Sequence, residues 1–413
     1  MNILMLGRWL PPSRRPVRAT REYRFARELA RAHRLTLAFI TDNNQDAAGA
    51  ISALRGDFGD LEFGVVPRGW KTLASAVRLA AGESCTLSYF RSEALRTRLV
   101  ERLRTTPYDL LFVSSSSMIQ YALEVDAGIP LAVDFGDVDS EWWMRQSARG
   151  SFPSTRFFAT EAARLRMAEA AAARRAALRV ASSPEAADVV KSFGAEVPTV
   201  VIPDGLDVDA DVVPPRHSKI PTVVLNTSFA DDAEVRNAIE FHRTVMAMVR
   251  ARIPTARLLI VSKELAATPR LGVRLAGAEL AVGVADAGPL LHRGTVAVAP
   301  LRTVSGLRRA VLEPMAATLP VVATSAVLQG LALDAGHELL VADDPIDFAL
   351  KVIRLLEDES LRTTLGARGR SFVRGRYTWS HQATQLAQLI DALGRRARPA
   401  LPTDGEPVAR ASL

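Results

Sequence analysis

Short runs of apolar and β-branched residues alternate with longer, helix-like patterns along nearly the whole chain. The first half predicts strands at residues 2–6, 35–41, 110–114 and 131–134, and helices at 21–32, 93–104 and 155–178. The second half predicts strands at 222–226, 256–262, 279–284, 295–300, 320–324 and 338–341, and helices at 232–251, 346–357, 360–373 and 380–393. Because strands that alternate with helices form parallel sheets with right-handed crossovers, the predicted fold class is α/β with two doubly wound domains.

A stretch of low periodicity with paired prolines separates the two halves. The pattern predicts a first domain at residues 1–205, a linker at 206–220 and a second domain at 221–377. A last amphipathic helix is expected within 378–394. Residues 395–413 carry proline, glycine and charge without periodicity, so they are predicted to form a disordered tail.

Composition narrows the class of protein. The chain has 413 residues and a single cysteine, which cannot form an internal disulfide, so a reducing cytoplasm is the expected compartment. No apolar run reaches the length of a transmembrane helix. The formal net charge of +7 comes mainly from arginine, but the sequence lacks zinc-ligand spacing, RNA-binding aromatic patterns and recognition-helix motifs. Nucleic acid is therefore not an expected partner.

Arginines concentrate just before the first helix and on the helix predicted at 155–178. The first group follows the first strand and consists of Arg14, Arg15, Arg18 and Arg21. One interpretation of both groups is a solvated helix face. The other is a surface that meets anionic lipid head groups or a lipid-diphosphate acceptor.

The segment at residues 296–324 has the most specific pattern, which predicts a strand, a loop, a helix and a second strand. The helix N-terminus would lie at the carboxyl edge of the sheet, where free backbone N–H groups and the helix dipole favour phosphate. The residues that would bind a nucleotide diphosphate are Ser305 as the helix cap, Gly306 for close approach, Arg308 and Arg309 for charge, and Glu313 for the ribose. The alternative is an ordinary βαβ unit with a surface glutamate.

This segment resembles the nucleotide-sugar site of family 4 glycosyltransferases, whose helix carries Leu-Glu-Ala-Met-Ala followed by Gly-x-Pro-Val-Val. Here the helix reads Leu-Glu-Pro-Met-Ala at 312–316, and Leu-Pro-Val-Val follows at 319–322. Other segments extend the resemblance over nearly the whole chain, and they are most similar to sugar transferases associated with PEP-CTERM exopolysaccharide systems. These segments are Arg21 with Tyr23, Ser-Tyr-Phe-Arg at 88–91, Asp-Phe-Gly-Asp-Val-Asp-Ser-Glu-Trp at 134–142, Ala-Pro-Leu-Arg at 299–302 and Leu-Val-Ala-Asp-Asp at 340–344.

The resemblance implies a GT-B fold, in which two Rossmann-like domains face a central cleft and the last helix returns to the first domain. It implies a nucleotide-sugar donor on the second domain, held by arginines and a helix N-terminus. The implied nucleotide-sugar residues are Thr227, Ser228, Arg302, Ser305, Gly306, Leu307, Arg308, Arg309 and Glu313. Of these, Arg302 and Arg309 are also expected to stabilise the leaving diphosphate. The residues expected on the acceptor side are Arg14, Arg15 and Arg18 before the first helix and Arg21 at its start.

Two Asp-x-Asp triplets occur, at 137–139 and 207–209. In a different transferase fold this triplet holds a divalent metal, but the flanking pattern here is that of the two-domain fold. No metal and no other cofactor are therefore expected. Asp137 and Asp139 follow a predicted strand, so they are candidates to orient the transferred sugar or the acceptor during catalysis. The alternative is that Asp139 or Ser140 caps the next helix.

Several positions depart from the family pattern and bear on activity. The departures are Val17 and Thr318 where the family has glycine, Ser305 where it has an acid, Ala310 where it commonly has lysine, and Pro314 within the helix. Each change is tolerable alone, and together they support an alternative to the leading hypothesis, in which the chain is a weak or inactive member that binds a ligand or a partner.

The leading hypothesis is a glycosyltransferase that moves a sugar from a nucleotide-sugar to an acceptor hydroxyl, with retention and without a metal. Retention follows from the resemblance alone. The acceptor would be a glycan, a lipid-linked molecule or a small molecule in exopolysaccharide, glycolipid or other glycoconjugate synthesis, with an anionic membrane surface as a further partner. A nucleotide-sugar epimerase of the same architecture ranks lower, because the sequence shows no matching acid and histidine pattern.

Overall fold

Two parallel sheets, one in each half of the chain, form the framework of the molecule. The computed structural model describes residues 1–8, 20–42, 51–52, 54–66, 78, 82–125, 128–149, 152–194, 196–208, 220–227, 229, 232–262, 274–284, 286–301, 309–328, 331 and 333–397. All strand pairs within both sheets are parallel, so the prediction of an α/β fold with two doubly wound sheets is confirmed.

The first sheet has seven strands in the order β3-β2-β1-β4-β5-β6-β7. The strands are β1 (Asn2–Arg8), β2 (Arg34–Asp42), β3 (Leu61–Val66), β4 (Leu110–Ser114), β5 (Leu131–Asp134), β6 (Leu178–Ala181) and β7 (Thr199–Val201). Alternate side chains of β1 enter two separate cores: Ile3 and Met5 pack on one face of the sheet, and Leu4 and Leu6 pack on the other. Apolar layers on both faces explain why these strands read as continuous apolar runs.

The helices of the first half are α1 (Arg21–Ala32), α2 (Cys85–Tyr89), α3 (Glu93–Thr105), α4 (Ile119–Glu124), α5 (Asp139–Arg149), α6 (Ser154–Arg175) and α7 (Pro184–Ser192). Helix α1 begins after Thr20, whose hydroxyl oxygen accepts a hydrogen bond from the Tyr23 backbone N–H at 3.3 Å. Its buried side chains, among them Phe25 and Leu29, face the core that contains Ile3 and Met5. This packing fixes the start of α1 beside the carboxyl end of β1.

The second sheet has six strands in the order β10-β9-β8-β11-β12-β13. They are β8 (Thr222–Asn226), β9 (Arg257–Ser262), β10 (Glu279–Val282), β11 (Val296–Ala299), β12 (Val321–Ala323) and β13 (Leu340–Val341). The helices are α8 (Asp232–Arg243), α9 (Val245–Arg252), α10 (Gly288–Leu291), α11 (Arg309–Ala316), α12 (Pro345–Glu357) and α13 (Glu359–Arg376). Helices α8, α9 and α12 cover one face of the sheet, and α11 covers the other.

The chain crosses between the two halves twice, and the two crossings touch. On the first crossing, the Leu206 backbone N–H donates to the Tyr377 carbonyl at 2.7 Å. Gly205 lies so close to the second crossing that an added Cβ would be 2.4 Å from the backbone of Trp379. The last helix, α14 (Trp379–Ala397), then packs against α1 through side chains such as Leu386 and Ile390. The domain boundaries stay a prediction, because residues 209–219 lie outside the described part of the chain.

Two predicted helices need correction. The helix predicted at 155–178 ends at Arg175, and Leu178 belongs to β6. The alanine-rich pattern continues the helical signal past Arg175, but the chain pairs with β5 from Leu178 onward. The helix predicted at 232–251 is two helices, α8 and α9, separated at Thr244. The pattern also gave no prediction for β3, β6 or β7, which complete the sheet on either side.

Candidate functional site

Charged side chains from the ends of four strands form one connected chain of contacts between the two halves of the molecule. Arg21 follows β1, Asp134 ends β5, Asp204 follows β7 and Arg309 follows β11. Each of these positions is at the carboxyl end of a parallel strand. The contacts among them therefore bring the carboxyl edges of the two sheets together, which is where ligands bind in open α/β sheets.

Arg21 is the centre of the contacts on the first domain. Its guanidinium makes a bidentate pair with Asp134, with Nε to Oδ2 at 2.7 Å and Nη2 to Oδ1 at 3.1 Å. The guanidinium also donates to the Ile202 carbonyl at 2.8 Å and to Asp204 Oδ1 at 3.2 Å. Burial alone would lower the pKa of Arg21, but the charges and hydrogen bonds of Asp134 and Asp204 outweigh burial and raise this pKa. Arg21, predicted on the acceptor side, is thus a fixed cation at the base of this edge.

The contacts continue into the second domain through Arg309 and Glu313, two residues predicted for the nucleotide-sugar. Arg309 Nη2 lies 3.2 Å from Asp204 Oδ2, and Arg309 Nη1 lies 3.4 Å from Glu313 Oε1. The second carboxylate oxygen of Glu313 accepts a hydrogen bond from Asn226 Nδ2 at 3.0 Å. Glu313 has only 12% of its side chain exposed. The structure therefore holds this glutamate in one orientation at the carboxyl end of β8.

Asp137 and Asp139 lie at the same edge of the first sheet, on the turn that follows β5. Asp137 accepts a hydrogen bond from the Ser182 hydroxyl. Asp139 is the first residue of α5 and pairs with Arg8, which ends β1, at 3.3 Å. Val138 between the two aspartates has a φ of 59°, in the left-handed region that a β-branched residue rarely adopts. Asp139 therefore lies in the first helical turn and at the edge of the sheet together, so both interpretations of it stay open.

A buried carboxylate supports this turn from behind. Glu169 on α6 is fully buried and accepts hydrogen bonds from the Ser140 hydroxyl and from the Ser140 backbone N–H, the latter at 3.2 Å. Burial raises the pKa of Glu169 to about 7, although the hydrogen bonds from Ser140 act in the opposite direction. Ser140 directly follows Asp139 in the chain. It therefore connects the buried Glu169 to the candidate site.

Glu22, Asn226, Asp204 and Glu169 are polar residues at this site that the sequence analysis did not single out. Burial raises the pKa of Glu22, and the nearby charges of Arg8 and Arg21 lower it in part. A polar residue directly at the end of an apolar strand could have indicated Asn226. Glu22 directly follows Arg21 in the chain, whereas Asp204 and Glu169 are connected to the site by contacts between distant parts of the chain.

Several predicted residues lie outside the described part of the chain or have other partners. Those outside it are Arg14, Arg15, Arg18, Ser228, Arg302, Ser305, Gly306, Leu307 and Arg308. Thr227 is described, and its hydroxyl donates to Glu234 at 2.9 Å and accepts from the Phe229 backbone N–H at 3.3 Å. Its role toward a diphosphate stays a prediction.

Two further observations concern metals and membranes. Within the described residues, no group of three or more histidine, cysteine, aspartate or glutamate side chains is arranged to hold a metal ion. None of the helices in the described ranges is long and apolar enough to cross a bilayer. The expectation that no metal takes part stays a prediction.

The comparison with known families and structures fits this geometry. Residues 221–358 match the family described as Glycosyl transferases group 1. No curated protein matches the chain.

Solved structures match over almost the full length of the chain. Sucrose-phosphate synthase from Thermosynechococcus elongatus has 16% identity and a TM-score of 0.60, with 96% of this chain and 99% of that chain covered. HepE from Anabaena, solved with UDP and glucose, has 16% identity and a TM-score of 0.59, with 95% and 100% covered. The lipopolysaccharide outer core galactosyltransferase WaaB has 12% identity and a TM-score of 0.58, with 95% and 100% covered. At these identities the likeness establishes the fold: the chain has the two-sheet GT-B fold of glycosyltransferases, and its second domain carries the group 1 match.

Proposed function

We propose that the protein is a glycosyltransferase that transfers a sugar from a nucleotide-sugar to an acceptor hydroxyl, with retention of anomeric configuration and without a metal. The observation that carries the proposal is the position of Glu313. It lies within the group 1 match, on the helix that follows β11, and Asn226 and Arg309 orient its carboxylate at the edge where the two sheets meet. HepE, a structural neighbour, has been solved with UDP-glucose, so this fold holds such a donor in at least one relative.

The donor would lie on the second domain with its ribose on Glu313. A carboxylate fits this role because it can accept hydrogen bonds from both ribose hydroxyls. The diphosphate would lie at the start of α11, against Arg309 and the residues that precede it: Arg302, Ser305, Gly306, Leu307 and Arg308. Arginine suits a diphosphate because its planar N–H groups pair with phosphate oxygens and its charge persists at any physiological pH.

The acceptor would approach from the first domain, where Asp139 pairs with Arg8 and Asp137 accepts a hydrogen bond from the Ser182 hydroxyl. In the reaction we propose, the leaving diphosphate takes the proton of the acceptor hydroxyl, while Arg302, Arg309 and helix N–H groups stabilise its growing negative charge. No protein nucleophile is needed for this step. During this step, Asp137 and Asp139 orient the sugar and the acceptor.

The place of the reaction in the cell is also part of the proposal. We place the protein in the cytoplasm, at the inner face of the membrane, in exopolysaccharide, glycolipid or other glycoconjugate synthesis. The support is the resemblance to exopolysaccharide transferases and the group of arginines before α1, whose charge complements an anionic lipid head group or a lipid diphosphate.

A second candidate function is a ligand-binding protein of the same fold without turnover. One observation favours it: Arg309, an arginine needed for the diphosphate, is already paired with Asp204 and Glu313. The departures from the family pattern at Val17, Ser305, Ala310 and Thr318 also favour a protein without turnover. Binding without transfer would distinguish this candidate from the enzyme.

A thermal-shift screen followed by a transfer assay tests the proposal. Purified protein is heated with UDP, GDP, ADP and their common sugar conjugates, and any stabilising donor is then incubated with glycan and lipid-linked acceptors. The proposal expects one nucleotide to raise the melting temperature and its donor to be consumed, with retention seen by NMR of the product. Stabilisation without transfer would support the binding protein, and no stabilisation at all would contradict a nucleotide site.

A further inference from the structure

Asp204 forms ion pairs with one arginine from each domain. It lies between β7 and the first crossing, and it uses one carboxylate oxygen for each domain. Oδ1 accepts from Arg21 Nη1 of α1 at 3.2 Å, and Oδ2 accepts from Arg309 Nη2 of α11 at 3.2 Å. The side chain is 37% exposed, so solvent and ligands can reach it.

Two carboxylates, those of Asp204 and Glu313, already pair with Arg309. The connected residues are two arginines and three carboxylates: Arg21, Arg309, Asp134, Asp204 and Glu313. Carboxylate and phosphate oxygens compete for the same guanidinium N–H groups, and like charges a few ångströms apart repel each other.

We infer that Asp204 lowers the affinity of the donor site by competing with the donor's diphosphate for Arg309. This inference rests on the proposed function, because it takes Arg309 as a diphosphate ligand. When the diphosphate binds, Arg309 exchanges Asp204 for phosphate oxygens, and Asp204 stays on Arg21. The contact between α11 and the first domain is thereby broken. Donor binding and the domain contact are coupled, and by linkage each weakens the other.

The substitution Asp204→Asn tests this competition. Asparagine keeps the size of the side chain and a carbonyl oxygen for Arg21, but it removes the negative charge. The affinity of the purified variant for UDP, GDP and ADP is measured by calorimetry and compared with the wild type. The nucleotide that binds the wild type should bind Asp204→Asn about fivefold more tightly, the scale of one part-exposed ion pair.

Asp207→Asn is the matched control. Asp207 lies three residues further along the same crossing and pairs with Arg24 at 2.8 Å, away from Arg309. Its replacement removes the same charge from the same segment, so it should change the affinity by less than about twofold. If the affinity of Asp204→Asn for the nucleotide equals that of the wild type or is weaker, the inference of competition is wrong. Asp204 would then position Arg309 instead.

A double substitution separates competition from a general charge effect. In an Arg309→Gln background the guanidinium for which Asp204 is inferred to compete is absent, so adding Asp204→Asn should change affinity by less than about twofold. A full fivefold gain in that background would overturn the inference. Failure of the proposed function gives a different result: neither the wild type nor any variant would bind a nucleoside diphosphate, and the inference would fall with it.

Discussion

Glu169, the buried acid that contacts the turn at residues 137–140, predicts how the free energy of unfolding changes with pH. Glu169 is fully buried on α6, and burial raises its pKa from 4.5 to about 7. In the unfolded chain the same carboxyl is in water and has its ordinary pKa. Between these two values the folded protein holds a proton that the unfolded protein has released. The free energy of unfolding must therefore fall as the pH rises through this window, and below or above it Glu169 adds no further change.

The size of the effect follows from the two pKa values. One pH unit of difference in pKa corresponds to about 1.4 kcal/mol, so the whole window is worth about 3 kcal/mol. The substitution Glu169→Gln removes this titration, and its side-chain oxygen can still accept the hydrogen bonds from Ser140. Between pH 5 and pH 8 the wild type should lose about 2–3 kcal/mol more stability than the variant loses.

Urea unfolding of both proteins at several pH values measures this difference. The variant serves as the reference for every other group that titrates in the same range. Stability curves that run parallel from pH 5 to pH 8 would show that Glu169 has the same pKa in both states, and that the account of its burial is wrong. A steeper fall for the variant would have the opposite sign from the prediction.

Three further predictions concern the domain crossing, the metal and the arginines. Gly205→Ala should lower the melting temperature, because its Cβ would lie 2.4 Å from the Trp379 backbone; a cost of about 1–3 kcal/mol is expected, and Gly375→Ala, which meets no atom within 4 Å, should show no loss. Transfer activity should survive EDTA, whereas a loss that manganese or magnesium restores would mean that the aspartates bind a metal. Replacing the arginines at 14, 15 and 18 with serine should weaken binding to anionic vesicles or raise the acceptor KM, with nucleotide affinity unchanged; loss of nucleotide binding alone would reverse the domain roles.

The sequence predicted most inner strands of the two sheets well, for a physical reason. The inner strand β6 was missed, because the alanine-rich helical pattern was extended to its first residue, Leu178. Strands β4 and β5 lie between other strands and have apolar neighbours on both faces, so their apolar runs begin and end where the strands do. Helix α1 was also predicted with the correct ends, because its buried residues repeat at helical spacing. Such local signals are complete within a short window of sequence.

The edges of the first sheet and the site itself depend on contacts that no short window contains. Strand β7 is three residues long and only half-buried, so its pattern does not differ from that of a loop. Among the candidate site residues, Glu313 was predicted from the pattern around it. Asp204 was missed, because its partners Arg21 and Arg309 are 183 and 105 residues away in the chain. The pair with Arg309 forms where the two halves of the chain meet, and the pair with Arg21 forms where distant segments of the first half pack together.

The claim that a nucleotide binds the second domain through Glu313 is tested most directly by calorimetry. Wild type, Glu313→Ala and a control, Asp347→Ala on the exposed surface of α12, are titrated with the nucleoside diphosphate that stabilises the wild type most. The account predicts that Glu313→Ala weakens binding by about 1–3 kcal/mol, the scale of losing hydrogen bonds to a charged group, and that the control does not change it. Equal affinity in all three proteins would contradict the placement of the ribose on Glu313 and the proposed donor site with it.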